Sequence, residues 1–162
     1  MNSMATNLDS TFVHAWLMFG NVFAVCGEHD QAVASYQKAM RCYSKSHVSY
    51  LCLCQEMLAM ADKTSAMRYL KSAHELCDND PLVFNEYGVI AFQNKEFSDA
   101  RAFFEKAASL LNSQTDPSVV ELVNNNLAHS LRCLQFVPTF QIMSLLCIHF
   151  SLSFFSGNTT PL

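Results

Sequence analysis

Through residue 135, apolar side chains recur three and four positions apart, the spacing that gives a helix one buried face, and short polar stretches interrupt them. The interruptions predict helices at about 12–26, 29–42, 47–61, 63–77, 81–94, 97–111 and 117–135. Asp80-Pro81 places a side-chain acceptor ahead of a proline at the first helical position, and Asp116-Pro117 repeats the arrangement. Gly27 falls where the first pair of helices must turn, and Asn94 to Glu96 occupy the same place in the third pair.

The helices share a register of 34 residues. Gly20, Cys54 and Gly88 form one column, Ala32, Ala66 and Ala100 a second, Tyr36, Leu70 and Phe104 a third, and Ala39, Ala73 and Ala107 a fourth. Trp16, Tyr50 and Phe84 are aromatic in step, and Phe19, Leu53 and Tyr87 are bulky in step. A small residue at a fixed place lets neighbouring helices approach, and a large one beside it fills the remaining volume. This is the tetratricopeptide pattern, so the expected fold is all-α, a solenoid of antiparallel helix pairs. The segments are 1–11 ahead of the array, repeats at 12–46, 47–80 and 81–114, a half-repeat at 117–135, and an apolar tail at 136–162. The proline that usually closes a repeat is replaced by Ser44, Asp78 and Asn112, and Cys54 stands where glycine is usual, so the second repeat departs most from the pattern.

In such a solenoid the first helix of each repeat lines the concave face, a surface suited to an extended peptide or to another protein's helix. Counting Val13 as position one, the second, fifth, ninth and twelfth positions are His14, Leu17, Asn21 and Ala24 in the first repeat. They are Val48, Leu51, Gln55 and Leu58 in the second, and Leu82, Asn85, Val89 and Phe92 in the third. After an insertion, Leu122, Asn125, His129 and Arg132 hold these places in the half-repeat. The partner-binding candidates are His14, Leu17, Asn21, Gln55, Asn85, Val89, Phe92, Asn125 and His129. Their amides suit main-chain hydrogen bonds to an extended partner, each worth about 1 kcal/mol net.

Composition narrows the chemistry. A net charge of −4 over 162 residues excludes a strongly basic nucleic-acid binder, and 51% hydrophobic residues exclude wholesale disorder. Seven cysteines, an odd number, and no basic-then-apolar leader point to reduced thiols in cytosol or nucleus. Cys52 and Cys54 project onto different faces of a helix with no second pair beside them, which argues against zinc. His74-Glu75-Leu76-Cys77 lacks the second histidine of a metalloprotease helix, and Glu28-His29-Asp30 reads as a solvated helix start. No nucleophile and base stand together, so no enzyme, cofactor or metal site is expected.

Beyond the repeat itself, several strings resemble the cell-division-cycle sixteen subunit family of the anaphase-promoting complex. They are Ala5-Thr6 with Leu8-Asp9, Thr11-Phe12 and Ala15-Trp16, then Phe23-Ala24-Val25 and Glu28 to Ala32. Asp80 to Phe92, Phe104 to Ala107 and Asn125 to His129 are similar as well. The resemblance covers about Ala5 to Gln135, loosely between Ser46 and Asp78, as for a middle portion of such a protein. It implies a non-catalytic scaffold subunit of a multisubunit ubiquitin ligase in mitotic progression, found in nucleus and cytoplasm, with other ligase subunits as partners and an extended peptide in its groove. Tetratricopeptide grooves that grip a C-terminal carboxylate resemble one another in carrying lysines that are absent here, so chaperone tails are not expected ligands. The chain is then a fragment, a short isoform or an imperfect gene model.

Every Asp, Glu, Lys and Arg lies at or before Arg132, and Phe140 to Phe155 is almost continuously apolar. In register, Phe140 falls where a small residue belongs, and neither Ser144 nor Cys147 restores the large-then-small spacing. Three readings of this stretch stand side by side. It is a cap on the last repeat, a membrane anchor slightly short of the ~20 residues a span needs, or coding sequence with no selected structure. The anchor reading makes the chain a membrane-tethered adaptor, the alternative function.

Overall fold

The computed structural model describes residues 2–134, with side chains from Phe12 onward. Six helices, α1 (Asn2–Val25), α2 (His29–Cys42), α3 (His47–Ala59), α4 (Lys63–Leu76), α5 (Pro81–Gln93) and α6 (Phe97–Ser109), are followed by α7, described over 117–134. Among the described residues there is no strand. From α2 onward each helix starts where the pattern predicts, and the ends of α2 to α6 fall within two residues of expectation. The first helix differs, beginning at Asn2 instead of residue 12. Nothing between those positions is a proline or glycine, so the backbone has no reason to leave the helix.

Each hairpin closes with one turn used three times. Gly27, Ala61 and Lys95, again 34 apart, hold φ of 76°, 61° and 66°. The following amides, Glu28, Asp62 and Glu96, donate back to Phe23, Met57 and Ala91 at 2.9, 2.8 and 3.0 Å. That six-to-one bond from a left-handed residue satisfies carbonyls the helix end would leave orphaned. Asp80 and Asp116 cap α5 and α7 as expected, accepting from Leu82 and Ser118 N–H at 2.8 Å each. Asp62 caps α4 through Ser65, and this bonding holds its carboxyl below the usual range.

The small columns carry the packing. Ala32, Ala39, Ala66, Ala73, Ala100 and Ala107 are all completely buried, and Tyr36, Leu70 and Phe104 are buried beside them. A Cβ added at Gly20 would overlap the Tyr36 ring, and one at Gly88 the Phe104 ring. In the middle hairpin, Cys54 and Leu70 lie in one fully buried cluster, so the bulkier thiol is matched by a smaller partner than an aromatic ring. The second repeat therefore closes as its neighbours do.

Successive hairpins nest where the second helix of one meets the first helix of the next. Ser49, Val83 and Val123 are buried at the third position, and Glu56, Ile90 and Ser130 at the tenth. Leu127 of α7 packs on the cluster of Ala91, Ala100 and Phe104. On α1 the same leading face is open: Phe12, Met18, Phe19 and Val22 are all more than half exposed and Val25 is 89% exposed. Among the described residues no helix is long and apolar enough to cross a membrane. The tail, and with it the anchor reading, lies outside the described residues.

Candidate functional site: the concave face

The four first helices α1, α3, α5 and α7 bring the predicted groove positions into one series, and each position meets a different environment. His14, Asn21, Gln55, Asn125 and His129 are exposed, while Leu17, Val89 and Phe92 are half-buried. Leu17 packs against the Ala32, Tyr36 and Leu53 cluster. The Phe92 ring lies 5.0 Å from the His129 ring and 5.2 Å from Phe97, so the end of α5 is tied to α7 by aromatic contact.

Asn85 is the correction. It is 1% exposed, and its carbonyl accepts from Asn126 Nδ2 at 2.9 Å, so it joins α5 to α7 instead of lining an open surface. A buried amide must find partners, and α7 supplies one from the position after Asn125. Asn21 is also engaged, its Oδ1 accepting from the Tyr36 hydroxyl at 2.8 Å. Burial first, then the neighbouring Cys52 and Glu56, raises the Tyr36 phenol well above its ordinary value.

Two glutamates that the position rule passes over stand behind these amides. Glu86 is buried and accepts at one oxygen, Oε1, from Gln55 Nε2 at 3.0 Å and from Asn85 Nδ2 at 3.4 Å. Burial pushes its carboxyl above the usual range, against the downward pull of those two bonds. Glu56 is buried too, with Oε2 2.8 Å from Nδ1 of His29, which ties the start of α2 to α3. His29 thus belongs to an inter-repeat contact and not only to a helix start. His47 Nε2 stands 2.7 Å from Asp80 and Lys63 Nζ donates to Asn94 Oδ1 at 2.8 Å, two further ties between the second and third hairpins. The signal for Glu86 was in the sequence, as the single charge in the apolar run Val83 to Phe92.

The face offers hydrogen bonds more readily than covalent chemistry. Burial, followed by the charge of Glu56, pushes the Cys52 thiol up to about 11, and burial followed by Glu86 pushes Cys54 to about 12. Both are protonated at neutral pH and poor nucleophiles. Among the described residues no group of three or more His, Cys, Asp or Glu gathers as a metal would need.

No protein-family model matches the chain. It is 37% identical over 132 residues to the anaphase-promoting complex subunit CDC16 of Saccharomyces cerevisiae, covering 80% of this chain and 16% of that protein. In structure it matches the crystal structure of the APC/C hetero-tetramer Cut9–Hcn1 with a TM-score of 0.73 and 33% identity, over 83% of this chain and 26% of that one. The first tetratricopeptide domain of Spaghetti (RPAP3), bound to the HSP90 peptide SRMEEVD, matches at a TM-score of 0.62 and 17% identity, over 78% of this chain and 95% of that one, a likeness of fold alone. The chain spans between 12% and 24% of the length of the curated relatives it matches. Over the stretch it shares with them, the chain is similar in sequence and in tetratricopeptide-repeat fold to CDC16 and Cut9.

Proposed function

We propose that this chain acts as a non-catalytic scaffold segment of the anaphase-promoting complex, the ubiquitin ligase of mitotic progression, and works in nucleus and cytoplasm. Its nested hairpins hold other subunits in place, and its concave face takes an extended segment of one of them. The observation that carries the reading is the match to Cut9 in both sequence and fold, in a structure where Cut9 is assembled with Hcn1. The exposed amides of Asn21 and Gln55, set among half-buried apolar side chains, support a peptide-binding surface. Affinity purification of the tagged chain from dividing cells, read by mass spectrometry, is expected to recover other subunits of the ligase. Repeated recovery of the chain without any of them overturns the proposal.

A further inference from the structure

Four hydroxyls in the chain stand three positions ahead of an aspartate or glutamate: Thr6 before Asp9, Ser72 before Glu75, Ser113 before Asp116 and Ser118 before Glu121. That spacing is a charge pattern by which acid-directed serine kinases choose an acceptor. A kinase takes its acceptor into the cleft as extended chain, so a hydroxyl inside a helix is out of reach until that helix opens. Thr6 lies within α1, and Ser72 within α4, where its Oγ donates to the Arg68 carbonyl at 3.3 Å. Ser118 sits in the first turn of α7, its Oγ held by the Asp116 carboxylate at 2.6 Å.

Ser113 is placed differently. It is exposed, in residues 110–116, the longest connection between described helices. The turn there is held by the neighbours of Ser113. Asn112 Oδ1 accepts from the Gln114 N–H at 2.9 Å and from Thr115 Oγ1 at 3.2 Å, and Thr115 Oγ1 accepts from the Asn112 N–H at 3.0 Å. The Ser113 hydroxyl takes no part in these bonds and has no partner among the described residues. Asp116 is exposed too, and the Ser118 hydroxyl and amide hold its carboxyl below the usual range, so its charge is in place at neutral pH. No Lys or Arg lies between Ala107 and Leu131, and Gln114, not proline, follows Ser113. A base-directed or proline-directed kinase therefore finds no determinant here.

We propose that Ser113 is a phosphorylation site, chosen by an acid-directed serine kinase through Asp116. In the transfer the Ser113 Oγ attacks the γ-phosphorus of ATP, the bond from that phosphorus to the bridging oxygen breaks to release ADP, and the hydroxyl proton passes to the kinase's base. The phosphoserine adds a charge of about −1.5 to −2 to the connection between the third hairpin and α7. The inference does not depend on what the concave face binds.

The test incubates the folded full chain with a purified casein-type kinase and ATP, and maps the phosphate by peptide mass spectrometry. Ser113 is expected to carry it, with Thr6, Ser72 and Ser118 each occupied about tenfold less. Asp116→Asn keeps a capping acceptor at the start of α7, which an unchanged urea midpoint checks, and should slow the modification about tenfold. Asp116→Glu, a poorer cap that keeps the charge, should be modified near the parent rate, so loss of the cap and loss of the charge are told apart. Gln114→Ala should change nothing. No phosphate on Ser113, more on any of the other three hydroxyls, an unchanged rate in Asp116→Asn, an equal slowing in Asp116→Glu, or loss in Gln114→Ala, the mark of a glutamine-directed kinase, overturns the proposal.

Discussion

The first and third hairpins close on a glycine, whereas the middle one closes on a cysteine, yet all three reach the same buried arrangement. Gly20 and Gly88 leave room for the rings of Tyr36 and Phe104, and Cys54 shares a fully buried cluster with the slimmer Leu70. What the repeat keeps constant is the summed volume of the two facing positions, not the identity of either one. A departure from a repeat pattern is therefore best judged together with the residue it faces.

The sharpest way to break this equivalence is to add one methyl group where a glycine is needed. Gly88→Ala drives a Cβ into the Phe104 ring and should cost about 2 kcal/mol despite alanine's better helix propensity, read as a lower midpoint in urea. Adding Phe104→Leu to that variant imitates the middle hairpin and should recover about half the loss, a coupling that a double-mutant cycle measures directly. The converse change is expected to cost slightly less. Cys54→Gly opens a small void and weakens the helix, together about 1.5 kcal/mol, and Leu70→Phe in the same chain should offset part of it.

A smaller effect separates the middle of the array by pH. The Glu86 carboxyl is held above its ordinary range by burial, so the folded chain binds its proton more tightly than the unfolded chain does. The stability this contributes is fully present below the ordinary glutamate range and is lost as pH rises through the elevated value. Thermal melts should show Glu86→Gln lacking that decline. The smallest expected change concerns the shared turns. Lys95 holds the left-handed conformation that Gly27 adopts without strain, so Lys95→Gly should stabilise by about 0.5 kcal/mol, while Gly27→Ala should destabilise.

Much of this was legible in the sequence because repetition multiplies weak signals. One alanine says little, but six alanines in two columns at the same period located the helix pairs, their turns and the buried seam before any geometry was known. Reading α1 as starting at Phe12 followed the repeat register, which is silent about how far a helix continues ahead of it. The groove was less legible. A position rule inherited from the repeat places Asn85 on the concave face, but whether a side chain there is open depends on what the next first helix presents, and α7 presents Asn126. Glu86 escaped because its role arises from hydrogen bonds across three helices that are 31 to 41 residues apart in the chain.

The uncovered flank of α1 bears on how the array comes apart. The α3–α4 pair is clasped from both sides, whereas the pair formed by α1 and α2 leans on a single neighbour and keeps Val25 and its companions wet. In a one-dimensional stack, loosening starts where nearest-neighbour support is halved and advances inward unit by unit. Deuterium uptake should therefore climb earlier in α1 and α2 than in α3 and α4 under native conditions, and a helical surface laid over that flank would lock the α1–α2 pair in place.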